Sequence, residues 1–274
     1  MNWNQFGYIC RVYSSKTLSA AQKEELTTQS YLAVYANKYA DSKLANCLAA
    51  KFALQDAGIL QKQALHYQCV PQLVSGYKFE HKGIFSYLTA VFFIYVFSSL
   101  LYQSFVVPTF VEIYSNHMAS SAHTLDDYFS YWYVPIILLV LLQSIIFIVI
   151  FKIKNACALT DSQPFTGLSK ALLPRSLIKK YDRLMTTLNF AVNFKEDENA
   201  AIVETKHLAK CDSLGYETHE EFKVLLEQQL EQFNVQAKGF INKLVILYGL
   251  VIVVSIYLFV KAAYQPIFML GEVL

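Results

Sequence analysis

Residues 84–107 read IFSYLTAVFFIYVFSSLLYQSFVV, an unbroken run without an Asp, Glu, Lys, Arg or His. As a helix rising 1.5 Å per residue, that run covers the roughly 30 Å hydrocarbon core of a bilayer. A second run, 133–151, reads YVPIILLVLLQSIIFIVIF and is closed by Lys152 and Lys154, with Tyr131, Trp132 and Tyr133 at its other end as an interfacial aromatic belt. A third, 244–260, reads LVILYGLVIVVSIYLFV between Lys243 and Lys261, whose charged heads can snorkel, and AAYQPIFML extends it. Across the chain 55% of residues are hydrophobic and only 16% charged, so three such runs leave too little polar surface to solvate a globule. The fold class expected is an all-α membrane protein, three transmembrane helices with helical-bundle cytoplasmic domains.

Charge placement orients the spans. Nine Lys and Arg precede the first run, none lies in 108–132, thirteen lie in 152–243, and Lys261 follows the third run. The positive-inside rule then makes 1–82 an N-terminal cytoplasmic domain and 83–107 the first span. Residues 108–132, with Glu112, Asp126 and Asp127, become a periplasmic loop, 133–151 the second span and 152–243 a second cytoplasmic domain. Residues 244–262 form the third span and 263–274 a periplasmic tail. The N-terminus lacks the basic start and apolar middle of a secretory signal. Cys10, Cys47, Cys69, Cys157 and Cys211 all fall on the expected cytoplasmic side, where thiols stay reduced, and none pairs at metal or redox spacing.

In the polar segments, helical periodicity is expected from about 20 to 65, with Leu44, Cys47, Leu48 and Phe52 on one face and a stop at Gly58. A restart is expected at Pro174 and a further helix over 199–210. Thr218 and Glu221 have capping-box spacing, and Phe222, Leu226, Leu230, Phe233, Ala237, Phe240 and Leu244 recur at three- and four-residue steps. One long helix is therefore predicted to begin outside the bilayer and become the third span, with Gly239 and Gly249 as its yielding points.

Motifs that carry chemistry are missing: no phosphate loop, dinucleotide fingerprint, nucleophile elbow or zincin pair occurs. His117 and His123 near Asp126 and Asp127 read as a solvated loop, and His207, Cys211 and His219 as surface residues of helices and their exits. No enzyme activity, cofactor or metal is expected, and the net charge of +2 gives no argument for nucleic acid. The spans hold no ionisable Asp, Glu, Lys, Arg or His of the kind a pump or carrier keeps for its path. Gln143, Ser144 and Ser255, the deepest polar residues of the second and third spans, are expected to hydrogen-bond between helices. A small helical transporter or pore-forming subunit stays open as the alternative.

Two short segments are more specific. Val106-Val107-Pro108-Thr109-Phe110 leaves the first span, and Tyr264-Gln265-Pro266-Ile267-Phe268-Met269-Leu270-Gly271 closes the third. Both prolines are expected to stop their spans near the outer interface. With the order of spans and the basic helical region between the second and third, these segments resemble the F-type inner-membrane platform proteins of type II secretion systems and type IV pilus assembly. The resemblance covers about 84–274, and its family-motif positions are Val106, Val107, Pro108, Phe110, Pro266, Ile267, Phe268, Leu270 and Gly271. The chain departs from the family in its shorter length and in the degenerate Leu214-Gly215-Tyr216-Glu217-Thr218, where members carry a Gly-Glu-x-x-Gly type element. It is similar to a divergent, shortened member.

The resemblance implies a non-enzymatic protein of the bacterial inner membrane. Its partners would be a hexameric assembly ATPase, a pilin or pseudopilin, other inner-membrane assembly proteins, the lipid bilayer and further copies of itself as a homo-oligomer. Charge runs available for docking are Lys179, Lys180 and Arg183, and Glu196, Asp197 and Glu198.

Overall fold

The computed structural model describes every residue except 37–40, 53–54, 56, 77–81, 118–131, 194–201 and 272–274. The described residues are mostly helical, without a strand. In chain order the helices are α1 (Trp3–Ser14), α2 (Ala20–Leu26), α3 (Gln29–Leu32), a 3-10 turn (Ala33–Tyr35), α4 (Lys43–Phe52), α5 (Ala57–Tyr67) and α6 (Val70–Gly76). Then follow α7 (Lys82–Leu101), a π-helical turn (Tyr102–Val106), α8 (Val107–His117), α9 (Tyr133–Cys157), α10 (Leu168–Leu172), α11 (Arg175–Asn193), α12 (Val203–Ser213) and α13 (Thr218–Gly271). They fall into two compact units, Met1–Phe79 with Val149–Gly239, and Glu80–Ile148 with Phe240–Leu274.

The first unit opens with a helix that the periodicity did not announce. Asn2 caps α1 by accepting from the Gln5 amide while the Gln5 side chain accepts from the Asn2 amide, both at 2.9 Å, a capping box with Asn in the Ser/Thr place. Trp3, Phe6, Ile9, Cys10 and Val12 then share its buried face. Gly7 lies on the same face because the Pro71 ring of α6 occupies the space where a Cβ would stand.

The single helical stretch expected over 20–65 is instead several helices. Thr27 turns its hydroxyl back on the Lys23 and Glu24 carbonyls and Thr28 on the Glu25 carbonyl, a competition with the helical ladder that ends α2. Gly58 stops nothing, since it is the second residue of α5. Pro174 does mark a restart, lying between α10 and α11. The helix expected over 199–210 appears as α12, three residues further at its end.

α13 is the long helix expected, 54 residues without interruption. Phe222, Leu226, Leu230, Phe233 and Ala237 are buried as the spacing required, but the stripe continues through Ile241 and Tyr248 rather than Phe240 and Leu244, which are half-buried. A stripe at mixed three- and four-residue steps drifts around a 3.6-residue helix, so a one-residue shift keeps it on the same face. Thr218 is the first helical residue and makes no capping box. Its hydroxyl donates to Asp212 Oδ1 at 3.3 Å and to the Tyr216 carbonyl at 3.1 Å.

Among the described residues three helical segments are long and apolar enough to cross a membrane: Phe85–Ile113, Tyr133–Cys157 and Thr218–Tyr264. This is the composition of a multi-pass helical membrane protein. In the second unit, Gln143 donates to Thr89 Oγ1 at 2.9 Å, and Thr89 donates to its own helix at the Phe85 carbonyl. Tyr102 donates to the Ala263 carbonyl at 3.0 Å, and its ring and that of Tyr95 stand edge-on to Phe259. Leu88 packs over Gly249, where a Cβ would stand in ordinary contact, 3.7 Å from the leucine methyl. Gln143 thus bonds between helices as expected. Ser144 and Ser255 do not: each returns to the carbonyl four residues back, Val140 and Val251.

Neither proline ends its helix. The turn before Pro108 is π-helical, the Val107 amide reaching the Tyr102 carbonyl five residues back. Proline lacks the amide that would bond to Ser104, and its ring collides with that carbonyl. One wider turn absorbs both faults, and the chain continues as α8 to His117. Pro266 likewise lies inside α13, which runs on to Gly271.

Candidate functional site

The most heavily built part of the first unit surrounds the first turns of α13 and the last turns of α9. Phe222 is fully buried, with the Tyr67 ring edge-on at 5.9 Å and the His66 ring at 5.6 Å. Tyr67 in turn packs on Phe6 and Phe52, and Trp3 on Phe6, so one aromatic file runs from α1 to α13. Eleven residues along α13, Phe233 meets Tyr181 of α11 at 5.5 Å, and Tyr181 meets Phe165. Rings at these separations contribute about 0.5–1.5 kcal/mol per pair beyond their burial.

Both buried tyrosines satisfy their hydroxyls on backbone. Tyr67 donates to the Leu188 carbonyl and Tyr181 to the Asp161 carbonyl, each at 2.6 Å. Burial pushes both phenols above their ordinary range, so they remain neutral donors. His66 accepts the opposite consequence of burial, a pKa below the usual imidazole value; its Nδ1 is 2.8 Å from the Lys62 carbonyl. Beside it Lys62 pairs with Asp212 at 2.6 Å, which ties α5 to the end of α12.

The end of α9 is held with equal care. Leu159 has φ +48°, a left-handed conformation that costs a non-glycine residue roughly 1–2 kcal/mol. It closes the helix as a Schellman turn, with Thr160 N–H donating to the Asn155 carbonyl and Leu159 N–H to that of Ala156. Its fully buried side chain offsets that cost. The Leu159 carbonyl accepts from Trp3 Nε1 at 3.2 Å and from Ser42 Oγ at 2.9 Å, and the Ala158 carbonyl from Trp3 Nε1 at 3.1 Å. Helices α1 and α4 therefore grip the turn at which α9 ends. Physically the arrangement fixes the ends of two apolar helices to one aromatic core.

The positions singled out from the sequence scatter. Val106, Val107, Pro108 and Phe110 lie on the π-turn and α8, with Val107 buried and Pro108 exposed. Pro266, Ile267, Phe268, Leu270 and Gly271 lie in the last turns of α13, Phe268 exposed. Lys179 and Arg183 are exposed on α11 with Lys180 half-buried, while Glu196, Asp197 and Glu198 fall outside the described residues. His123, Asp126 and Asp127 also fall outside them, and His117 ends α8.

His207 Nε2 stands 2.9 Å from Glu221 and 3.7 Å from Cys211 Sγ, but His219 turns to Glu220 instead. Among the described residues no three His, Cys, Asp or Glu side chains are set to hold a metal. Trp3, Ser42, Tyr67, Leu159 and Tyr181 were not singled out from the sequence. The one available signal was a Trp directly after a capping Asn at the chain start.

Compared with known proteins, the chain matches no family model, no curated protein and no solved structure.

Proposed function

We propose that the chain is a platform protein of a bacterial inner membrane, a divergent, shortened F-type member of a type IV pilus or type II secretion machine. In this reading the first unit is cytoplasmic, the C-terminal tail periplasmic, and the protein turns a movement imposed by a hexameric assembly ATPase into extraction and insertion of pilin subunits. Lys179, Lys180, Arg183 and the acidic run at 196–198 are the docking charges offered to that ATPase. Other assembly proteins and further copies of the chain complete the machine, and the protein itself carries out no catalysis.

The observation that carries the reading is the continuity of α13. Its 54 residues are assigned as one helix, which holds both the aromatic grip at Phe222 and Phe233 and the apolar stretch beyond Lys243. In this reading the helix carries a displacement of its first turns along its length. A pilin span of about 20 apolar residues loses on the order of tens of kcal/mol on leaving lipid, which demands work delivered into the bilayer. The family-motif segments around Pro108 and Pro266 support the same reading.

Deletion of the gene is expected to abolish surface pili or secretion, and charge reversal at Lys179, Lys180 and Arg183 to remove co-purification of the ATPase. Purified protein in liposomes is expected to pass no solute. Solute flux with intact pilus assembly in the deletion strain would replace this reading with the pore.

A further inference from the structure

We infer that Lys154, Arg175 and Lys238 form a collar of cations that binds the headgroups of anionic phospholipids. The inference rests on α9 and α13 entering the bilayer and not on the platform reading.

Three contacts within the first unit set these cations at one level. Cys157 Sγ of α9 lies 4.0 Å from Asn234 Oδ1 of α13. Gln236 Nε2 of α13 donates to Ser176 Oγ of α11 at 3.0 Å, and Phe233 meets Tyr181. Rising numbers in α11 therefore meet falling numbers in α13, so the start of α11 points the way α13 runs toward its apolar stretch. Lys154 is about 4.5 Å along α9 from Cys157, Lys238 about 6 Å along α13 from Asn234, and Arg175 directly precedes Ser176. The three ammonium and guanidinium stems thus start within about 3 Å of one another in height.

That height is the one a headgroup occupies. Lys154 is about 4.5 Å from the end of the uncharged run at Phe151 and Lys238 about 9 Å from its start at Leu244. The polar layer of one leaflet is roughly 5–7 Å deep, and a Lys or Arg side chain reaches about as far. All three side chains are exposed, and none forms an ion pair with a described residue. Gln236 and Lys238 lie about 200° apart around α13, so Arg175 and Lys238 flank different sides of it. Cations spread around three helices at one height suit a ring of separate lipid phosphates. An acidic polypeptide would call for a single continuous patch.

The test uses the full chain in phosphatidylcholine vesicles containing a trace of spin-labelled phosphatidylglycerol or spin-labelled phosphatidylcholine. The motion-restricted fraction of each label gives their relative association with the protein. The expected preference for phosphatidylglycerol is at least about five-fold, the factor one interfacial cation supplies. It is expected to fall at least about three-fold in the K154Q/R175Q/K238Q variant and in high salt. The K206Q/K210Q variant, which removes exposed charge from α12, is expected to keep it. Thermal unfolding of each variant separates lost binding from lost folding, since all five side chains are exposed. Equal association of the two labels, or a preference that the triple substitution leaves undiminished, would overturn the inference. So would poly-glutamate binding in detergent that the triple variant alone loses while lipid preference stays at unity, which would assign the collar to an acidic protein.

Discussion

Gly239 offers opposite perturbations at one position of α13. It is exposed, helical, and has nothing within 4 Å of where a Cβ would stand. Gly239→Ala therefore introduces no collision and is expected to raise stability by about 0.8–1.0 kcal/mol through helix propensity alone. Gly239→Pro removes the amide that an α-helix bonds to the Val235 carbonyl and sets a ring against it. Proline lies about 3 kcal/mol below alanine in a helix interior, so the loss from glycine is about 2 kcal/mol, concentrated at a kink. Thermal unfolding in detergent gives the stability change, and hydrogen exchange of the amides at 235–243 locates the break. If α13 works as a rigid transmitter, the alanine variant assembles pili like the parent and the proline variant fails. Phe222→Leu supplies the control, because trimming a fully buried ring costs about 1–2 kcal/mol without interrupting the backbone. A proline variant that assembles pili normally despite exchange-proven fraying, or a Phe222→Leu variant that fails equally, would refute the argument from continuity.

Gly7→Ala is expected to lower stability by about 1–2 kcal/mol, because its Cβ would overlap Pro71 Cγ and stand 3.3 Å from Pro71 Cβ; Pro71→Ala should restore most of the loss in a double-mutant cycle. For His66, burial sets the folded pKa below the unfolded value of 6.5, so its neutral form costs nothing above that pH and stability falls as pH drops from 6.5 toward the folded pKa. The loss is at most about 1.4 kcal/mol per pH unit, and thermal unfolding of His66→Phe at pH 5 and 7.5 should lack that component. Maleimide should label Cys47, which is exposed, within minutes in native protein, whereas Cys10, fully buried with its thiol pushed up by burial, should react only after denaturation; rapid native labelling of Cys10 would contradict the packing of α1.

Most of the helical architecture was legible because it rests on hydrophobic length and period. The runs at 84–107, 133–151 and 244–260 needed only the absence of charge, and α13 needed only the recurrence of Phe222, Leu226, Leu230 and Phe233. The segments at 1–82 were harder. Thr27 and Thr28 ended α2 through hydroxyl bonds that periodicity does not see, and Gly58 was read as a stop although the second position of a helix tolerates glycine. Pro108 and Pro266 failed as stops because a proline removes a single bond from a long helical ladder. A π-turn at Tyr102–Val106 was enough to pass the first of them.

The grip on α9 was illegible for a different reason. Trp3 and Ser42 each lie more than a hundred residues from Leu159 in the chain, and each looks ordinary where it stands. A left-handed closing position ordinarily calls for glycine. Leucine holds it here because a fully buried side chain returns more free energy than the backbone conformation costs, a balance visible only once the surrounding helices are in place. Leu159→Gly separates the two terms: relief of the backbone is worth roughly 1–2 kcal/mol, while deleting the side chain costs more than the 2–5 kcal/mol of a leucine-to-alanine change. Net destabilisation is therefore expected in thermal unfolding. A gain in stability would mean that the turn is held by its hydrogen bonds to Trp3 and Ser42, with the leucine side chain contributing little.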